Sequence, residues 1–178
     1  PKPSSAASDV YKRQVVSAAR SVQLDANAER YVAAGQQISI GHQLTNTGNL
    51  ADSYALALTN LGGDHGDLLA LNLYHDQNGN GIADPGEPPL TATPSIPPGG
   101  SLLLVIAGTV PAGQNAGDQL QVHLAATSQS DSAVADDVTD TVHVGNGAFL
   151  NLNKVSSQAC SMPVTPGQTL RYTITYTN

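Results

Sequence analysis

Apolar and polar residues alternate with a period of two along most of this sequence, the signature of half-buried strands. Within 36–46, Ile38, Ile40, His42 and Leu44 share one face, while Gln37, Ser39 and Gln43 take the other. Tyr54, Leu56 and Leu58 alternate with Ala55, Ala57 and Thr59. Leu69, Leu71 and Leu73 repeat the pattern, as do Leu120, Val122 and Leu124 against Gln121 and His123. Segment 102–107 is apolar on both faces, which predicts a strand covered on both sides. Between these runs lie Asn46-Thr47-Gly48-Asn49, Gly62-Gly63-Asp64, Pro97-Pro98-Gly99-Gly100 and Pro111-Ala112-Gly113, whose residue types suit the dihedrals of tight turns. Seven or so strands separated by such turns predict an all-β fold, an antiparallel β-sandwich.

Segment 15–34 is ambiguous, because its alanines would also support a helix. An internal repeat decides the matter. The stretch 34–46 aligns with 166–178, both placing a glycine (Gly35, Gly167) eleven residues before an asparagine (Asn46, Asn178) with an alternating run between. Upstream, Val22-Gln23-Leu24-Asp25 has its counterpart in Leu150-Asn151-Leu152-Asn153. The second copy carries Val155, Pro163 and Pro166 and cannot be helical, so the first is read as strand too. The offset between copies defines a module of about 130 residues, the hallmark of tandem arrays. The expected organisation is a first module over 15–145, a Gly/Asn linker at 146–148, and the truncated start of a second module over 149–178. A piece of that length cannot bury a core alone, so it is expected to pack on the first module or to be poorly ordered.

Residues 1–14 fall outside this reading. The run Ser4-Ser5-Ala6-Ala7-Ser8-Asp9-Val10-Tyr11-Lys12-Arg13-Gln14 resembles the in-frame translation of a transposase-type sequencing adapter, as found in a metagenomic fragment, and is expected to be disordered. Its exclusion sharpens the charge balance. The whole sequence has 7 basic and 14 acidic residues, for a net charge of -7. Every acid except Asp9 lies within 15–145, where only Arg20 and Arg30 oppose them. Such an acidic surface argues against nucleic acid or anionic lipid as a partner. No run of about 18 apolar residues is present, so no membrane-inserted helix is expected. Charged residues make up only 12% of the total, beside 17 Gly and 11 Pro, which again favours turn-rich β structure over helical bundles.

One motif carries chemistry. Residues 76–87, Asp76-Gln77-Asn78-Gly79-Asn80-Gly81-Ile82-Ala83-Asp84-Pro85-Gly86-Glu87, fit the twelve-residue calcium loop D-x-[DN]-x-[DN]-G-x5-E at every position. Calcium takes six to eight oxygens, so alternate side chains of a tightly wound loop must turn inward. Asp76, Asn78 and Asn80 supply side-chain oxygens, Ile82 its carbonyl, Asp84 a direct or water-mediated contact, and Glu87 a bidentate carboxylate. Gly81 permits the sharp turn. The flanking helices of an EF-hand are absent: a strand enters, and Pro85, Pro88 and Pro89 forbid an exit helix. The expectation is a calcium loop between β-strands, with the modest affinity that two neutral Asn donors imply.

The other polar residues have blander readings. His42 aligns with Ile174 and reads as a tolerated inward or edge residue rather than a ligand. His75 reads as a strand-end residue, His65 as a solvated turn residue, and His123 and His143 as falling on separate strands. Asp136-Asp137-x-x-Asp140 reads as a solvated turn rather than a second metal site. No H-E-x-x-H, G-x-S-x-G or phosphate-binding glycine loop occurs, so no enzyme activity and no catalytic residue are expected. Cys160 is the sole cysteine, and a partner beyond Asn178 is plausible in an exported protein.

The sequence Pro166-Gly167-Gln168-Thr169-Leu170-Arg171-Tyr172-Thr173-Ile174-Thr175-Tyr176-Thr177-Asn178 resembles the opening "pGxxlxYtitytN" strand of the bacterial surface conserved-repeat domain, the eleventh of the families of domains of unknown function. Residues 34–49 resemble the same opening, followed by the Asp/Asn/Gly-rich loop, Ile96-Pro97-Pro98-Gly99-Gly100 and Val110-Pro111-Ala112-Gly113. The resemblance implies Ig-like β-sandwiches in tandem on large exported bacterial cell-surface proteins, with neighbouring repeats as partners and no enzymatic activity. It assigns no ligand residues. Gly41 and His42 depart from the usual Tyr/Thr alternation, which suggests a looser strand there. The expected role is a secreted, extracellular spacer or stalk repeat. The alternatives are an adhesion module binding a surface protein or glycan, or an accessory domain of a secreted hydrolase. Exposed aromatic rings would mark a glycan binder, and the first module offers only Tyr31, Tyr54 and Tyr74.

Overall fold

Each alternating run forms a strand whose apolar face turns inward, because period-two spacing places alternate side chains on one side of a pleated sheet. The structure, a computed structural model, describes residues 17–145, 151–156 and 165–177. Among these, eight strands precede residue 146: β1 (Val22–Leu24), β2 (Glu29–Ala33), β3 (Gln37–Asn46), β4 (Tyr54–Asn60), β5 (Leu69–His75), β6 (Ser101–Thr109), β7 (Gln119–Ser128) and β8 (Ala135–Gly145). They form two four-stranded sheets, in the orders β1-β3-β6-β5 and β2-β8-β7-β4. Every pairing is antiparallel except β2 with β8. The backbone leaves the first sheet after β1 and joins the edge of the second as β2. The result is an Ig-like β-sandwich, and the reading of 15–34 as strand holds for Val22–Leu24 and Glu29–Ala33.

The core lies between the sheets, with Ile40, Leu44, Leu104, Ile106, Leu120 and Leu124 fully buried. Burial of each such residue stabilises the fold by about 1.5–3 kcal/mol. On β3 the inward face is Ile38, Ile40, His42, Leu44 and Asn46. The strand is not loosened at Gly41: its register with β6 runs unbroken from Gln37↔Thr109 to Thr45↔Ser101.

Two details of the strands differ from the periodicity. Leu69 is 55% exposed, and Leu68 fills the core instead. One extra residue sits between Leu69↔Thr109 and Asn72↔Ala107, and Ala70 adopts a φ of 50°. This β-bulge resets which residues face inward. The Asn60 amide fixes the reset, since its Nδ2 donates to the Leu68 carbonyl and its Oδ1 accepts the Leu68 N–H. On β6, Leu104 and Ile106 face the core, while the outward side is only partly covered. Val105 is fully buried yet lies outside the inter-sheet cluster, and Leu103 is 40% exposed.

The turn after β3 ties down the N-terminal segment. Asn46, fully buried, donates from Nδ2 to the carbonyls of Leu50 and Ile96 and accepts the Gly48 N–H. Asn49 accepts the Ala19 N–H and donates to the Ser17 carbonyl. At Gly48 a Cβ would stand 2.7 Å from the Ala19 carbonyl oxygen and 2.8 Å from the Ser21 nitrogen. Both are backbone atoms of the opposing segment, so Gly48→Ala is expected to cost about 1–3 kcal/mol, measured as a lower urea midpoint at unchanged slope.

Beyond the sandwich, β9 (Asn151–Ser156) and β10 (Tyr172–Thr177) form a two-stranded antiparallel sheet. Its register pairs Asn151 with Thr177 and Leu152 with Tyr176. Within the sandwich Gln23 pairs with Thr45 and Leu24 with Leu44. These are the positions aligned by the internal repeat. Residues 1–14, the linker at 146–148, and Phe149 and Cys160 lie outside the described residues.

Candidate metal centre

The loop 76–87 leaves β5 and returns as residues 88–90, which pair back against the same strand. The His75 N–H donates to the Pro88 carbonyl and the Leu90 N–H to the Leu73 carbonyl. Strand entry and helix-free exit match the expectation from Pro85, Pro88 and Pro89. The loop folds over the outer face of the first sheet. The Asp76 N–H donates to the Leu103 carbonyl, and the Gly81 Cα would lie 3.4 Å from a Cβ at Gly41. Gly41 pairs with Val105, which explains why Val105 is buried on an outward face. A Cβ at position 41 would just touch the Gly81 Cα, so a side chain longer than that of alanine would meet the loop.

Polar groups within the loop hold its winding. Asp76 is 5% exposed. Its Oδ1 accepts the N–H of Gly79 at 2.7 Å and of Asn80 at 3.2 Å, and its Oδ2 accepts the Gly81 N–H at 2.8 Å. Gly79 and Gly81 have φ of 71° and 72°, the left-handed region where glycine is unstrained. Asn78 and Asn80 each donate from Nδ2 to Asp84 Oδ2 at 2.7 Å. Their Oδ1 atoms accept the N–H groups of Asn80 and Ile82. Glu87 closes the loop, with Oε1 accepting the Gln77 N–H and Oε2 the Asp84 N–H, both at 3.0 Å.

The six sequence-predicted residues therefore share one wound loop but do not converge on one point. Asp84 gathers Asn78 and Asn80, Asp76 gathers the backbone of 79–81, and Glu87 joins the loop's ends. Ile82 is half exposed. Among the described residues, no three His, Cys, Asp or Glu residues stand close enough to hold a metal ion. The donor chemistry nonetheless suits a hard cation, with three carboxylates, two amides and a carbonyl. A cation would recruit the Asn oxygens by turning their amides, an exchange of two nearly isosteric groups.

A second polar cluster was not expected. His42 is buried between two carboxylates: Nδ1 lies 2.6 Å from Asp25 Oδ1, and Nε2 lies 2.8 Å from Asp140 Oδ2. Both contacts are hydrogen bonds only if both ring nitrogens carry protons, which makes the ring an imidazolium. Burial pulls the ring toward neutrality, but hydrogen bonds and charge from Asp140 and Asp25 outweigh it, and the His42 pKa is raised above its ordinary 6.5. The fully buried Asp140 also accepts the Ala28 N–H at 2.8 Å, and Asp136 accepts the Leu24 N–H at 2.7 Å. These carboxylates of β8 reach across the sandwich and clamp the crossover from β1 to β2.

The reading of 136–140 as a solvated turn is thereby corrected: these residues lie within β8, and Asp136 and Asp140 share its inward face with Val138, Val142 and Val144. That alternation was visible in the sequence and was the signal available. The remaining histidines stay apart, as their separate strands imply. His123 lies 3.1 Å from Asp137, while His143 stacks on Tyr31 with ring centroids 4.6 Å apart. A shallow groove of about 290 Å³ separates the loop from the β1–β3 edge, lined by residues including Asp25, His42, Asp76, Asn80, Gly81 and Leu103.

No family model matches this protein, and no curated protein matches it. Solved structures do. A family 123 glycoside hydrolase from Clostridium perfringens is similar at a TM-score of 0.50 and 9% identity, over 72% of this chain and 28% of that one. A CARDB domain from Pyrococcus furiosus is similar at a TM-score of 0.37 and 11% identity, over 77% and 99% of the two proteins. The SrpA adhesin from Streptococcus sanguinis follows at 0.31 and 14%, over 70% and 59%. This chain spans little more than a quarter of the hydrolase. At such identities the likeness is one of fold, and fold alone does not assign function.

Proposed function

We propose that residues 15–145 are a non-enzymatic structural repeat of an exported bacterial cell-surface protein, a spacer in a tandem array stiffened by calcium at 76–87. The carrying observation is the recurrence of the β1–β3 register at β9–β10, which fits a second copy of the same unit beginning where the first ends. The resemblance to the surface conserved-repeat domain supports the same reading, with neighbouring repeats as the principal partners. Within 15–145, aromatic exposure favours a spacer over a glycan-binding module. Tyr54 is fully buried, Tyr74 half-buried, and the exposed Tyr31 already gives one ring face to His143.

Calcium suits this role through the loop's position. It bridges the edge strand β5 and the outer face of β3 and β6, so a cation shared by Asp76, Asn78, Asn80, Ile82, Asp84 and Glu87 would lock three strands together. Thermal melts of the 178-residue chain in EDTA and in calcium test the reading, beside Asp76→Ala and Glu87→Ala. At a calcium concentration ten times Kd, linkage adds about 1.4 kcal/mol, a rise in Tm of roughly 4–6 °C. Both variants should abolish the rise. Identical melts with and without calcium would refute the metal site and leave 76–87 an ordinary turn.

A further inference from the structure

The loop contains two Asn-Gly pairs, Asn78-Gly79 and Asn80-Gly81. Such pairs carry an intrinsic reaction. The glycine nitrogen loses its proton and attacks the preceding Asn Cγ, forming a C–N bond and closing a five-membered succinimide. The C–N bond of the Asn amide breaks and the nitrogen leaves as ammonia, taking up the proton. Water then opens the ring at either carbonyl, giving aspartate or isoaspartate. Glycine has no Cβ to obstruct the attack, and the exposed Asn78 and half-buried Asn80 leave the site open to water.

The structure places one carboxylate on both nucleophiles. Asp76 Oδ1 accepts the Gly79 N–H at 2.7 Å, and Asp76 Oδ2 accepts the Gly81 N–H at 2.8 Å. Attack requires each N–H to break a short, charge-assisted hydrogen bond and then shed its proton beside a negative charge. Both requirements raise the barrier. The electrophiles are held as well: both Asn amides donate to Asp84, and their oxygens accept the N–H groups of Asn80 and Ile82. Asp76 is buried and anchored by its own N–H to the Leu103 carbonyl, so it cannot easily swing away.

We propose that 78–81 is a latent deamidation site held inactive by Asp76, which binds the two glycine N–H groups that would otherwise attack Asn78 and Asn80. Conversion of both residues would add two negative charges to the loop. An isoaspartate would also insert a methylene into its backbone and break the winding. The restraint comes from the loop's own hydrogen bonds and does not depend on calcium.

The test incubates the 178-residue chain in mildly alkaline buffer with EDTA and follows amide-to-acid conversion at Asn78 and Asn80 by peptide mass spectrometry, with isoaspartate measured enzymatically. The comparators are Asp76→Asn, Ser39→Ala and a synthetic peptide of residues 76–87. Ser39→Ala frees the Ala83 N–H, which Ser39 Oγ accepts at 3.4 Å, and spares both glycine bonds, so it separates general loosening of the loop from loss of Asp76. The wild-type protein should deamidate about tenfold or more slowly than the peptide, the factor expected for releasing one charge-assisted hydrogen bond. Asp76→Asn should approach the peptide rate, and Ser39→Ala should stay near wild type, with circular dichroism reporting that the sandwich persists. Wild-type protein reacting at the peptide's rate would overturn the proposal, a comparison that needs no variant to fold. Asp76→Asn reacting at the wild-type rate, or Ser39→Ala matching a fast Asp76→Asn, would overturn it too.

Discussion

Replacing Asp140 with alanine is expected to lower the unfolding free energy by about 3–5 kcal/mol, the cost of removing one partner from a buried charge pair. The variant leaves the His42 ring enclosed by the sandwich with only Asp25, itself part exposed, to compensate it. It also orphans the Ala28 N–H, which Asp140 accepts at 2.8 Å. Urea unfolding at neutral pH measures the loss, and a change below about 1 kcal/mol would show that the cluster does not hold the crossover. Its pH dependence has a definite sign. The folded state binds the His42 proton more tightly than the unfolded state does, since the pKa is raised from 6.5. The stabilisation is therefore complete below the unfolded value and declines as pH rises through the folded one. Asp140→Ala should flatten that alkaline decline.

Asp52→Ala should cost about 3 kcal/mol and respond to pH in the opposite direction. Asp52 is buried at the other end of the sandwich. It accepts hydrogen bonds from Ser128 Oγ at 2.6 Å and Ser130 Oγ at 2.9 Å, and pairs with Arg20 at 3.1 Å. Burial pushes its pKa up, but these donors and the Ser53 N–H together hold it below the ordinary 3.8. A lowered carboxylate contributes stability above its unfolded pKa and loses it as pH falls through the folded value. Wild-type protein should therefore weaken on acidification in a way that Asp52→Ala does not. The two clusters together predict maximal stability between mildly acidic and neutral pH, and parallel acid limbs for wild type and Asp52→Ala would remove Asp52 from that account.

The strands were legible because period two is a local property. Ile38, Ile40 and Leu44 read as core residues without any knowledge of what they would pack against, and they are core residues. The repeat extended that logic to Val22–Leu24, where composition alone was ambiguous. Leu69 was misread because a bulge is set by pairing across strands: Asn60 selects Leu68 for the interior, and no spacing within β5 announces that. The loop was legible as a donor pattern, yet its seat on Gly41 and Leu103 was not.

The sequence by itself thus determined most strand positions, the turns and the wound loop, all of which depend on residues near one another along the backbone. Tertiary structure decided the rest. His42 and Asp140 are 98 residues apart, and Asp52 and Ser128 are separated by 76. Whether a charged group is solvated or enclosed depends on which sheet closes over it, and that is fixed only when the sheet carrying β8 packs on the sheet carrying β3. The Gly79 and Gly81 N–H groups meet Asp76 within the loop, but it is the sheet beneath that buries the carboxylate and holds it there.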